Sequence, residues 1–511
     1  MAGYCIKEYR MLIIINKKYI WFAVGRECAE RKLSFYSDGE LFQELDIRLS
    51  PDDADFYFAM DVERFMGKQV EICEAASDGA VGDKDGESAG LLDKAISLHD
   101  EKPNIEYKYR PRLHFTAESG WINDPNGLIY ADGVYHLYYQ WNPYGINWGN
   151  MHWGHAVSRD LITWEHRSLA MEPDEFGTIY SGCAIRDKEN AAGFGKGALL
   201  YFYTASGGRN NWSKEMARQH VQRLAISTDG GETLEKKCTI LEHIAGENRD
   251  PLVFYHEKSD AYIMVLYLDG NEFAIYRSDD MIHWTESQRF TADKMWECPG
   301  LFELEIQNRS VDDIEKTKWV FWSADGYYMI GDFDGYKFTP ESEVLSAYET
   351  TLPYAAQIYA GVEERTISVA WYRTKNDKCG FRGMMSIPME LSLRETDEGL
   401  RIAFAPVREL WERFDSDKAQ EYSGTSLEYS LEGSPVALII DDTEYSISVG
   451  DTVIEGANVD GTTTIIIDHG IIECFSNNGL SYKVIEVEED ILFRKITTQS
   501  NIKSIRIMKE K

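Results

Sequence analysis

Apolar and polar positions alternate with a period of two over most of the chain, in short runs. Before residue 73 the runs read LIIIN, YIWFAV, KLSFYS, DADFYFAM and QVEICEA, each bounded by turn residues. Short alternating runs of this kind are half-buried strands, so residues 1–73 are expected to form a small all-β module. The next stretch, 74–104, changes character. Its Gly, Ala, Ser and acidic residues read as a linker or exposed loop.

From 105 to 403 a longer period is superimposed on the alternation. Apolar strand pairs such as GLIYADGVYHLYYQW, ALLYFYTAS, PLVFYHEKSDAYIMVLY and KWVFWSADGYYMI each lead into a strand, a polar turn and an aromatic or apolar position. The turn units are AVSRDLITWEH (156–166), AISTDGGETLEK (225–236), IYRSDDMIHWTES (275–287) and IGDFDGYKFTPES (330–342). Their spacing of roughly 50–70 residues is near the size of a propeller blade. A fifth unit, YAAQIYAGVEERTISVAWY, lacks a clean terminal turn. Periodicity alone supports a β-propeller of four to six blades. After residue 404 closely spaced Ser-, Thr- and Ile-rich strands to residue 511 predict a β-sandwich. The expected class is all-β.

Composition adds limits. A net charge of −33 repels phosphate backbones and anionic lipid, so neither nucleic acid nor a membrane surface is an expected partner. The 65 aromatic residues (30 Tyr, 22 Phe and 13 Trp) suit strand cores and also sugar binding, where a ring face stacks on an apolar sugar face. Eight cysteines without a CxxC spacing do not predict a disulfide scaffold. The N-terminal apolar run ends at Asn16-Lys17-Lys18, too short for a signal peptide or a span, and the expected location is the cytoplasm.

Among 86 acidic residues, three stand out by context: Asp124 in GWINDPNG, Asp250 in NRDPLVF and Glu297 in MWECPG. Each opens a repeat unit, so in a propeller all three converge on the central axis. Each is followed closely by Pro, which is expected to hold the local backbone extended. Any one such site alone reads as an ordinary turn; the conjunction at equivalent repeat positions points to a shared pocket. Paired carboxyl groups in one pocket are what retaining glycoside hydrolysis needs, one ionised and one protonated.

These motifs resemble those of glycoside hydrolase family 32, the invertase, levanase and inulinase family. The likeness runs from Tyr109 through YRPRLHFTAESGWINDPNGLIY, NRDP, WECPG, YHLYYQWNP, NWGNMHWGHAVS, TIYSGCAI and FRGMMSIPMELSL, and on to DHGIIECFSNNG in the sandwich. It implies a five-bladed β-propeller catalytic domain with a C-terminal β-sandwich, preceded here by the small N-terminal β module. It also implies retaining hydrolysis of β-fructofuranosides with no metal and no cofactor. By the same matching Asp124 is the nucleophile, Asp250 the transition-state stabiliser and Glu297 the acid/base. Asn123, Gln140, Trp148, Ser181 and Arg249 become substrate contacts, with Tyr180, Tyr354 and Trp371 as pocket wall. Gly300 departs from the family pattern, which usually has Asp after E-C-P.

Several expectations follow. Hydrogen-bond donors should hold the Asp124 carboxyl low, and Glu297 must enter the cycle protonated. Arg249 either positions Glu297, bonds a fructose hydroxyl or pairs with a neighbouring acid. Cys298 reads as a buried packing residue rather than a nucleophile. His152 and His155 in MHWGH read as strand residues, since no third metal ligand stands nearby. The polar segment 205–223 is expected at the pocket rim. The N-terminal module defaults to packing or, with the sandwich, to forming a homo-oligomer, with carbohydrate binding as the alternative. The expected substrate is a fructoside: sucrose, a fructo-oligosaccharide, or the end of levan or inulin. Alternatives are a fructosyltransferase on the same scaffold, an inverting arabinosidase or xylosidase, and a non-catalytic fructan-binding protein.

Overall fold

A computed structural model describes residues 7–75, 87–104, 110–309, 316–375, 380–415, 427–431, 433–487, 494–500 and 502–509. Among these, no helix is long and apolar enough to cross a membrane.

Five antiparallel sheets follow one another through the middle of the chain. Blade I comprises Gly120–Ala131, Val134–Asn142, His152–Ser158 and Trp164–His166. Blades II, III and IV begin at Thr178–Arg186, Arg249–His256 and Gly300–Glu305, and blade V at Pro353–Ile358. The polar turns seen in the sequence join the third and fourth strands of blades I to IV. In each of the first three an Asp two residues after a Ser caps the turn: Asp160 accepts from Ile162 N and Thr163 N, Asp229 from Thr233 N, and Asp280 from Ile282 N and His283 N. Blade V has its own polar turn, Asp397-Glu398 between Met389–Thr396 and Gly399–Pro406, but a long connection after its second strand, Thr366–Tyr372, carries that turn beyond the repeat unit read in the sequence. Within that connection Phe381–Arg382 pairs in parallel with the first strand of blade I, and a bridge between Ile129 and Ala360 adds to the closure.

The blade's first strands face one another. Gly120–Ala131 touches Thr178–Arg186 and Pro353–Ile358, and Thr178–Arg186 touches Arg249–His256. Four of them break register at the same end: between Ile122 and Pro125, Ile179 and Gly182, Arg249 and Leu252, and Tyr354 and Gln357. A bulge bends a strand and re-aims its side chains. In blade IV the same effect comes from Glu297 (φ 52°) and Cys298 (φ 41°), just ahead of the strand.

Two expectations about boundaries change. The region 74–104 is not all linker: Glu87–Ala95 is a helix, and Ile96–His99 pairs with Tyr19–Val24. Leu92, Ala95 and Ile96 are buried in the N-terminal core, a short apolar stripe that the surrounding Gly, Ser and acids conceal in the composition. Residues 76–86 lie outside the described residues. The strand Gly399–Pro406 pairs with Met389–Thr396, so blade V runs across residue 403.

The N-terminal module is a four-stranded sheet (Lys7–Ile14, Gln69–Ala75, Arg31–Ser37, Glu40–Ile47) against a three-stranded one (Phe56–Asp61, Tyr19–Val24, Ile96–His99). Its core closes on Tyr144 and Ile146, which come from the blade I loop between Asn142 and His152. At the other end, two further sheets of four and five strands form the sandwich around Ile447, Ile465, Ile472 and Ile496.

A buried polar joint ties sandwich to propeller. Asp468 accepts from Arg112 N, Leu113 N and His114 Nδ1, and His114 Nε2 lies 3.3 Å from Glu473. Burial alone would lower the His114 pKa, but hydrogen bonds to Asp468 and Glu473 outweigh it and raise it to about 9. The Asp468 carboxyl moves the other way, below its usual range, because His114 and the backbone donors outweigh burial. The raised His114 contributes stability that is complete below its unfolded value of 6.5 and is lost as pH rises through about 9. The depressed Asp468 contributes stability present above 3.8 and lost as pH falls. The joint is therefore strongest between these two values. Asp468→Asn is expected to destabilise the fold by about 3–5 kcal/mol, leaving a buried imidazolium short of its partner. Melting curves from pH 6 to 9.5 check this: the gap between wild type and variant should narrow as pH rises.

Candidate active site

The bulged ends of the inner strands line a cavity of about 280 Å³. Asn123, Asp124, Gln140, Trp148, Tyr180 and Ser181 face it from blades I and II. Arg249, Asp250, Glu297, Tyr354 and Trp371 complete it from blades III, IV and V. All eleven residues singled out in the sequence thus share one cavity, joined by Arg209 and Glu247.

Each carboxyl group has its own set of partners. Asp124 is buried; its Oδ2 accepts from Ser181 Oγ at 2.5 Å and its Oδ1 from Asn123 Nδ2 at 3.2 Å. Asn123 is held in turn by Trp121 Nε1 at 3.2 Å. Glu297 is half-buried. Arg249 donates to its Oε1 at 2.6 Å and the Tyr354 hydroxyl to its Oε2 at 2.7 Å. Asp250 is buried at φ 61°, and its Oδ2 accepts from Cys298 N at 3.1 Å. Gln140 Nε2 and Trp371 Nε1 are buried at the same cavity with no protein partner, leaving two donors for hydroxyl groups.

Two expectations are corrected here. Pro follows an extended residue only at Asp124, in the strand Gly120–Ala131; Asp250 and Cys298, each directly before Pro, are left-handed, as is Glu297. Such conformations cost on the order of 1–3 kcal/mol each in a non-glycine residue and persist where the surroundings enforce them. The donors around Asp124 do not hold its carboxyl low, because burial, aided by the charge of Glu297, outweighs Ser181 and Asn123 and raises it. Cys298 is the buried packing residue expected, clustered with Ala324 and Ala355, and it also reaches the acids. Its Sγ lies 3.5 Å from both Asp124 Oδ2 and Asp250 Oδ2, and burial and those charges keep it a thiol, so its single S–H is a weak donor shared between the two.

Asp250 is raised to about 7, by burial first and then by the charges of Asp124 and Glu297, against the opposing pull of Arg249. Asp124 and Asp250 are thus both raised, each by burial first and each with help from the negative charge of Glu297. Arg249 fulfils the positioning and ion-pair readings together. Besides Glu297 it contacts the Glu247 carbonyl at 2.7 Å and stacks 4.7 Å from the Tyr267 ring centre. Ser181 spends its hydroxyl on Asp124.

The histidines of MHWGH lie elsewhere. His152 faces Gln43 Nε2 at 3.1 Å and His155 faces His136 Nδ1 at 3.1 Å, and burial pushes both imidazoles down, to about 4 and about 3. Among the described residues the one grouping of three metal-ligand types is Asp124, Asp250 and Cys298, whose atoms lie within 4.8 Å of one another. Gly300 is walled in: a Cβ there would stand 3.0 Å from Phe302 and 3.2 Å from the Trp322 side chain.

A family model described as "Glycosyl hydrolases family 32 N-terminal domain" matches residues 114–404, which carry all three acids and all five blades. The chain belongs to glycosyl hydrolases family 32. Among family 32 relatives, the levanase of Bacillus subtilis (strain 168) is 38% identical over 336 residues, covering 59% of this chain and 47% of the levanase. The chain therefore matches about half the length of that relative. The extracellular exo-inulinase of Aspergillus niger is 31% identical over 393 residues, covering 66% of this chain and 72% of the inulinase. The crystal structure of an exo-inulinase from Aspergillus awamori superposes with a TM-score of 0.69 at 24% identity, over 80% of this chain and all of that one. That likeness shows that the chain shares the fold of that exo-inulinase.

Proposed function

We propose that this protein is a retaining β-fructofuranosidase that releases terminal fructose from sucrose, fructo-oligosaccharides or fructans. The observation that carries the reading is a cavity holding two carboxyl groups with opposite surroundings. Asp124 is gripped by short donors from Ser181 and Asn123, which fix its oxygens for attack. Glu297 is held at both oxygens by Arg249 and Tyr354, at the side of the cavity that opens to solvent. Family membership and the fructan- and sucrose-cleaving relatives support the same substrate class. The cavity lies at the small end of ligand pockets, which suits one terminal unit better than a chain threading through.

The reaction then runs in two displacements. Asp124 attacks C2 of the fructosyl unit while Glu297 gives its proton to the departing oxygen. Fructose hydroxyls donating to Asp250 favour its ionised form when substrate is bound. The negative charge of Asp250 also strengthens its hydrogen bonds as positive charge develops on the ring. In the second step Glu297 takes a proton from water, which attacks C2 and frees Asp124. Incubation with sucrose, kestose, inulin and levan tests the reading. Fructose should appear from one or more of them, in step with glucose when sucrose is the substrate. Glucose running well ahead of fructose would favour a fructosyltransferase, and no cleavage of any fructoside would refute the proposal.

A further inference from the structure

The N-terminal module reaches the rim of the active site through one strand. Glu40–Ile47 touches both segments that overhang the cavity. The first is the loop from Asn142 to His152, which carries Trp148. Tyr144 and Ile146 of this loop are buried in the module's core. At its far end Asn150 makes a reciprocal pair with the strand, Oδ1 accepting from Asp46 N and Nδ2 donating to Asp46 O, both at 2.8 Å. Buried Gln43 lies 3.1 Å from His152 next along.

The second is the polar insert, whose short helix Asn211–Glu215 is capped by Asn210. Trp212 N in its first turn donates to Glu44 Oε2 at 2.9 Å. Arg209, two residues earlier in sequence than that turn, is thereby set at the cavity mouth. It donates to Glu247 Oε1 at 2.7 Å, and its guanidinium lies 6.0 Å from the Trp148 ring centre. Glu247 in turn meets Arg249, the residue that holds Glu297. A continuous line thus runs from the acid/base through Arg249 and Glu247 to Arg209, ending over the exposed face of Trp148.

We propose that Arg209 and Glu247 form the subsite for the leaving sugar, and that the N-terminal module positions it through Glu44 and the Asn142–His152 loop. The inference rests on the fructosidase reading. The departing unit leaves past Glu297, because Glu297 protonates its oxygen, and the next groups it meets are this ion pair and the Trp148 face. Guanidinium donors, carboxylate acceptors and an aromatic face are the chemistry that recognises an uncharged sugar. Arg209 and Glu247 are half-exposed at the mouth, whereas the fructosyl contacts are buried behind them. Arg209 and Glu247 are specificity-determining residues in this reading; Glu44 is a positioning residue, since it holds the insert by accepting from Trp212 N.

The test uses the full chain and compares kcat/KM for kestose and sucrose with the inhibition constant of free fructose, which reports on the inner pocket alone. Arg209→Ala and Glu44→Ala should each lower kcat/KM for kestose by ~10-fold, the size of one lost hydrogen-bonded contact, with fructose inhibition unchanged within about twofold. Glu44→Gln keeps a carbonyl acceptor for Trp212 N and should retain nearly full activity. Arg209→Ala with Glu44→Ala should be little worse than either alone, because both act through one group. The proposal is overturned if Arg209→Ala leaves kcat/KM unchanged, or if fructose inhibition weakens as much as kcat/KM falls. Arg209 is a surface residue, so its variant carries the test even where Glu44→Ala folds poorly. Failure of the unaltered protein to release fructose is a different outcome, and refutes the parent reading instead.

Discussion

Asp124→Asn is expected to lower kcat on any fructoside by roughly 10⁴-fold or more while leaving the protein folded. The amide keeps the size of the side chain and an oxygen that can accept from Ser181 Oγ, so the local packing has no reason to change. What it loses is the nucleophile, and no other carboxylate can replace it. Glu297 is tied to Arg249 and Tyr354, and Asp250 sits at a left-handed residue with its Oδ2 turned to Cys298 N. Glu297→Gln should be similarly damaging on sucrose, whose leaving oxygen needs the proton. Steady-state rates with an unchanged melting temperature check the claim. Near-normal turnover in Asp124→Asn would remove it as nucleophile.

Asp250→Asn is expected to split function from stability. A buried carboxylate beside two others is held at the expense of the fold, and its raised pKa records that expense. The sign follows from linkage: a folded value of about 7 against 3.8 for the unfolded chain means that folding takes up a proton. The stability associated with the protonated form is complete below 3.8 and is lost as pH rises through about 7. An amide does not titrate and still accepts from Cys298 N. The variant should therefore be more stable than wild type by ~1–2 kcal/mol at pH 8, with the difference shrinking toward pH 4. Its kcat should fall by ~10²–10³-fold, the usual consequence of removing one group aimed at developing charge. Parallel melting curves and rates across pH 4–8 measure both effects. A variant less stable than wild type at pH 8 would contradict the electrostatic picture of the trio.

Much of this was legible in the sequence because it is written locally. The Ser-x-Asp turns announce the outer hairpins of the blades, and the acids beside Pro announce the inner strands. The trio could be named without coordinates because equivalent positions at the starts of blades I, III and IV must converge on one axis. What escaped is non-local. Left-handed Asp250, Glu297 and Cys298 run against the preference of residues near Pro and are enforced by neighbours from other blades. The raised Asp124 reflects how deeply the closed propeller buries it, which its flanking donors do not reveal. Leu92, Ala95 and Ile96 could be recognised as core only once Tyr19–Val24 was in place, pairing with Ile96 and packed with the helix that carries Leu92 and Ala95. Arg209, Glu247 and Glu44 are three ordinary charged residues in a chain full of them, and only the docking of the first module against blades I and II brings them to one rim.

The central claim is that Asp124 forms a covalent bond to the fructosyl unit and Glu297 serves both halves of the cycle. The stereochemistry of transfer tests it most directly. With sucrose in buffer containing methanol, methanol competes with water for the intermediate, and the methyl fructoside that forms does not mutarotate. Two displacements at C2 leave its configuration as it began, so NMR of the early product should show methyl β-D-fructofuranoside alone. Methyl α-D-fructofuranoside as the first product would mean a single displacement, and would contradict the roles assigned to both residues.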